Sequence, residues 1–158
     1  MARFLCIWCA LLVLGAAPPA LAQSSGHSSD QVLMAEPQTP SGQFTTATEV
    51  RPILTATKSN WVALREFNGQ DLLYVTQLWA WRCGLAQISV GVNGALPQVW
   101  PMPPCHIDTA TPNAVQEGDG LPYVALPLGS VNTIEVQLIY DDLGRDTALF
   151  DRAGVLRP

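Results

Sequence analysis

The stretch Met102-Pro-Pro-Cys105-His106-Ile-Asp108 gathers a thioether, a thiol, an imidazole and a carboxylate in one short loop. Thioether, thiolate and imidazole are the soft and borderline donors of a copper site, which makes Met102 and His106 the candidate metal ligands. The competing reading bridges Cys105, which leaves no thiolate to donate, packs Met102 and puts His106 on a loop surface. A serine hydrolase would need His106 as its base, because the other histidine, His27, lies in a Ser-rich N-terminal segment. The nucleophile-elbow pattern G-x-S-x-G fails, since Gln87 takes the first glycine position ahead of Ser89 and Gly91. Asp141, Asp142, Asp146 and Asp151 supply hard oxygens around a turn, but without the spacing of a calcium loop and with Arg145 among them. No catalytic residue and no cofactor is assigned from these residues.

Aromatic residues offer a second kind of chemistry. If Trp79 and Trp81 share one face of a strand, their rings stand about 7 Å apart, a spacing that stacks on a sugar chain or a protein partner. Trp100 is a third candidate contact. The alternative puts these rings in the core, with Trp81 packed on a disulfide at Cys83, because large exposed aromatic patches are unusual.

The N-terminus decides how the cysteines are read. One positive charge at Arg3, an apolar run from Phe4 to Leu14 and the small-x-small end Ala20-Leu-Ala22 are the parts of a secretory signal peptide, residues 1–22. The run falls short of the ~20 apolar residues of a membrane span, so no stable span is expected after cleavage. Cys6 and Cys9 depart with that segment, leaving Cys83 and Cys105, which an oxidising compartment would join. A periplasmic or secreted protein follows. Its 8 basic against 13 acidic residues, for a net charge of −5, make nucleic acid and anionic membrane surfaces poor partners.

Residues 23–49 are rich in Ser, Thr, Pro, Gln and Gly and lack apolar periodicity, which predicts a disordered leader. Residues 50–158 then form one domain. Within it, Ile134, Val136, Leu138 and Tyr140 alternate with polar positions, predicting a half-buried strand. Asp141-Asp-Leu-Gly144 turns that strand into a second one, a β-hairpin. Short strands are also expected over 52–57, 61–67 and 88–92, with 121–127 at a sheet edge because of its prolines. Residues 71–82 read as a central strand covered on both sides, with a helix capped by Asp71 and stopped at Gly84 as the alternative.

The succession Cys83, Trp100, Cys105 in a chain of short strands resembles the immunoglobulin-like sandwiches. Here the cysteines are close in sequence, the tryptophan sits near the second of them, and Pro103 stands where the family has a tyrosine. The architecture is carried over and membership is not. The expectation is therefore a mostly β, single small sandwich with one disulfide. Its expected function is non-enzymatic: a binding or structural module of the cell envelope or secreted fraction, contacting a protein or glycan partner through a sheet edge or loop aromatics. A carbohydrate-binding module, and a copper-handling protein or small enzyme centred on His106, are the alternatives.

Overall fold

The alternation at the C-terminal end builds the centre of the molecule. In a computed structural model, which describes residues 32–157, β6 (Thr133–Tyr140) buries Ile134, Val136, Leu138 and Tyr140 and leaves the residues between them half-buried. It pairs on one side with β7 (Arg145–Asp151) and on the other with β3 (Leu85–Val92). The short strands β4 (Gln98–Val99) and β8 (Leu156–Arg157) close a five-stranded sheet in the order β4-β3-β6-β7-β8. A second sheet has the order β1-β2-β5, from β1 (Ala63–Phe67), β2 (Gln70–Tyr74) and β5 (Tyr123–Pro127). All pairings are antiparallel. Leu73 from one sheet, and Val75 just beyond it, join Ile88, Ile134, Val136 and Phe150 from the other in one core. The protein is mostly β, with two antiparallel sheets in a sandwich-like arrangement and one disulfide, and β5 lies at an edge as its prolines predicted.

Three expectations change. Of residues 52–57, all but the C-cap Thr57 belong to a helix, α1 (Ala47–Ala56), because Ala47, Val50 and Leu54 recur on one helical face and are fully buried. Pro52 lies inside it, and the β-branched Ile53 and Thr55 beside that proline give the segment its strand-like look. Residues 71–82 split: β2 ends at Tyr74, one helical turn α2 follows (Thr76–Trp79), then a 3-10 turn (Arg82–Gly84). Asp71 is thus a strand residue and caps no helix. Gly84 has a different duty, since a Cβ there would come within 2.8 Å of the Thr46 carbonyl at the start of α1.

The third change concerns the leader. Residues 1–22, read as the signal peptide, and 23–31 lie outside the described residues. From Glu36 onward the chain is fastened to the domain, so the ordered fold begins well before Val50. The Glu36 N–H donates to the Asp141 carbonyl at 2.8 Å, and the Gln38 amide donates to Asp141 Oδ1 at 2.8 Å. The same oxygen accepts the N–H of Ala47, the first residue of α1. Glu49 collects the N–H groups of Ser41, Gly42 and Thr45. A segment with little to bury is thus ordered through hydrogen bonds to two carboxylates, which composition does not reveal. Asp141 is itself buried, and that burial raises its pKa.

The two sheets are clamped by an ion pair. Asp71 on β2 is fully buried, and its two oxygens accept from Arg152, just beyond β7, at 2.7 and 2.8 Å. Arg152 also reaches the Val131 carbonyl and Glu66 on β1, while the Val131 N–H donates to Asp71 at 3.2 Å. The Arg152 hydrogen bonds hold the Asp71 carboxyl well below the usual carboxylate range. A pKa lowered by folding stabilises above the unfolded value of about 3.9, and that contribution fades as pH falls toward the folded value. Asp141, with its pKa raised, has the opposite slope. Urea unfolding followed by tryptophan emission should therefore show Asp71→Asn destabilised at pH 7, with the difference from wild type shrinking between pH 4 and pH 2; a constant difference across that range would contradict the clamp.

Candidate functional site

From Pro101 to Pro122 the chain runs without helix or strand. Unstructured connections beyond about 12–15 residues are uncommon in compact domains and are usually functional or disordered. This one is pinned at several points. The Cys83–Cys105 disulfide, with Cα atoms 4.9 Å apart, ties its start to the turn before β3. Next to it Arg82 is buried, and a guanidinium has five donors and no acceptor, so it must be surrounded by oxygens. Its Nε donates to the Pro104 carbonyl at 3.0 Å, Nη1 to Asn113 at 2.5 Å and Trp79 at 3.1 Å, and Nη2 to Ala114 at 3.1 Å. Three of those four carbonyls belong to the loop. Burial lowers the Arg82 pKa, opposed by the Asp119 charge, whose Oδ2 lies 3.5 Å from Nη2.

Asp119 closes the far end of the loop. Its carboxylate accepts the Gln116 N–H at 2.8 Å and meets His106 Nε2 at 2.9 and 3.0 Å. The Gln116 amide, then the His106 ring, lower its pKa. The His106 N–H bonds the Pro112 carbonyl at 3.0 Å. Asn113 completes the frame: its Oδ1 accepts the Cys83 N–H at 3.0 Å, and its Nδ2 donates to the Phe44 carbonyl at 2.8 Å.

The residues singled out in the sequence distribute around this frame. Cys83 and Cys105 are joined, so Cys105 has no thiolate for a metal. His106 directs Nε2 at Asp119, while Met102 packs against the core. Among the described residues no group of three or more His, Cys, Asp or Glu is arranged to hold a metal ion. Trp79 and Trp100 are buried, and Trp81 is half-buried. Because Trp79 ends the turn α2, it does not share a strand face with Trp81, and the expected pair of parallel rings on a strand does not form.

Each tryptophan nevertheless lines an opening walled by the loop. A groove of about 640 Å³ lies between Phe44, Trp81, Ala80 and loop residues Ala110 to Val115. A smaller hollow of about 260 Å³ is lined by Trp79, Trp100, Met102, Asp119 and Tyr123. Phe44 stands edge-on to Trp81, ring centres 5.3 Å apart, and remains 41% exposed. Its φ of 57° places a bulky side chain in the left-handed region, where such residues are rare.

Sequence reasoning passed over Phe44, Arg82 and Asp119. Phe44 was hidden in the supposed leader, though a lone aromatic in a Ser/Thr/Gly stretch is a signal of its own. Arg82 follows an apolar run and adjoins a bridging cysteine, a setting in which a guanidinium needs acceptors from elsewhere. Asp119 carries no local signal.

Two treatments test the frame. Reduction of the disulfide should lower unfolding free energy by roughly 3 kcal/mol, and Arg82→Met should make residues 101–122 the first site of limited proteolysis. Cleavage that begins elsewhere in both cases would show that the loop holds its shape without them. Comparison of the chain with family models, with curated proteins and with solved structures gives no match.

Proposed function

We propose that the protein is an exported, non-catalytic binding module whose contact surface is the groove between Phe44, Trp81 and loop residues 110–115. The observation that carries this reading is Phe44. A left-handed conformation costs a residue with a Cβ about 1–2 kcal/mol, and here it presents an aromatic ring at the surface and buries it only in part. Strain of this kind collects at ligand clamps and binding loops. The groove is lined mainly by aromatic and small side chains, which suits an apolar segment of a protein partner. The apolar N-terminal run and the disulfide support export.

The substitution Phe44→Gly separates binding from folding, because it removes the ring and the left-handed strain together. Its unfolding free energy should stay within about 1 kcal/mol of wild type, the relieved strain offsetting the lost ring contact. Proteins that co-purify with the wild-type chain from its native envelope or medium should be lost with the variant. Equal recovery with both would remove the groove from the reading.

A second reading rests on the smaller hollow, which Trp79, Trp100 and Tyr123 line and where the buried Trp79 Nε1 has no hydrogen-bond partner among the described residues, a donor that suits a sugar hydroxyl. It expects tryptophan emission to shift on adding a polysaccharide. No shift across a broad glycan panel would end it.

A further inference from the structure

Sheet edges carry unpaired N–H and C=O groups, and proteins protect them with charges, prolines, shortness or cover. The described residues present four such edges. On the larger sheet both edge strands, β4 and β8, are two residues long. On the smaller sheet β1 carries Arg65 and Glu66. The fourth edge, β5, reads Tyr-Val-Ala-Leu-Pro within a stretch from Gly120 to Ile134 that has no charged residue. Leu121 and Leu128, on either side of it, are 64% and 54% exposed, and Val124 is 37% exposed.

The pairing fixes which backbone groups are free. Val75 N–H donates to the Pro122 carbonyl at 2.8 Å, and continuing the β2 to β5 register from that bond makes Leu73 with Val124 and Asp71 with Leu126 the hydrogen-bonded pairs. Tyr123, Ala125 and Pro127 therefore direct their backbone groups away from β2. Pro127 has no N–H, and its carbonyl accepts Ser130 N–H at 3.0 Å. The N–H and C=O of Tyr123 and of Ala125 remain, with no partner among the described residues.

We infer that the β5 edge pairs antiparallel with the same edge of a second copy, about a two-fold axis at Val124. That register sets Tyr123 opposite Ala125 of the other copy and the reverse, so both residues exchange N–H and C=O and four hydrogen bonds form. Centring on Ala125 instead would put Tyr123 opposite Pro127, which cannot donate. A second copy is the occupant because an edge strand meeting itself is self-complementary. Charge agrees: in a chain of net charge −5, two copies repel except where neither is charged. The joined sheet would have six strands.

Cysteine placement reads out the register. On the two-fold axis, residues 124 of the two copies form a non-hydrogen-bonded pair with Cα atoms about 4.5 Å apart, within disulfide range. Val124→Cys should oxidise to a covalent dimer in high yield, whereas Leu128→Cys, exposed but off the axis, should not. Sedimentation from about 10 μM to 1 mM, where small interfaces associate, should show the wild-type chain dimerising. Ala125→Pro removes only an outward N–H and should stay monomeric with an unchanged circular dichroism spectrum, and Val124→Lys should stay monomeric through like charges on the axis. A wild-type chain monomeric throughout that range, or a dimer that persists in both variants, would overturn the inference.

Discussion

A guanidinium keeps its charge at any pH a protein meets, so enclosing one obliges the chain to supply oxygens around it. Arg82 is enclosed, and the oxygens come from the carbonyls of Trp79, Pro104, Asn113 and Ala114. Three of those carbonyls are brought there by a loop with no regular secondary structure, so the loop's path follows from the arginine's need for acceptors. The neighbouring disulfide restrains the same loop covalently, and Asp119 supplies the counter-charge. Both openings that tryptophans line depend on that path. Replacing the Arg82 side chain leaves all four carbonyls without that partner at once, which is why such networks hold or fail together.

A related arrangement operates close by, where the Asp141 N–H donates to the Gly84 carbonyl at 3.1 Å. Asp141, in the turn between β6 and β7, takes the Gln38 amide and the first amide of α1 on one oxygen. Its other oxygen is buried with no partner among the described residues, consistent with a raised pKa. Asp71 shows the contrary case, with both oxygens engaged by an arginine and a lowered pKa. Two buried carboxylates thus hold separate parts of the chain, and which of them prefers its proton is decided by whether a cation faces it.

The β6 to β7 hairpin was legible because a period of two is written in the β6 side chains, which alternate between buried and half-buried positions. The disulfide was legible by elimination, once the first pair of cysteines was set aside with the apolar N-terminal run expected to be a signal peptide. Helix α1 was not, since its buried positions Ala47, Val50 and Leu54 straddle Pro52 and the edge of a polar stretch. For the candidate site, Trp81 was named from composition, but Phe44 and Asp119 were not. What brings them together is the folding of distant segments onto Cys83 and Asn113, and no local pattern encodes such a meeting. The strand reading of residues 71–82 failed at Val75, where a chain apolar on both faces turns to helical geometry without any change in composition.

The contacts that fasten the N-terminal half are drawn from the far end of the polypeptide. Asp141, the acceptor for the first amide of α1, lies 94 residues beyond Ala47, and Arg152 lies 81 beyond Asp71. Such separations give a high contact order, so closure awaits long-range encounters. During synthesis, then, α1 and the strands β1 and β2 are made before the residues that fasten them. The docking of α1 on Asp141 and the closing of the Asp71 clamp therefore wait until β6, β7 and Arg152 have been made.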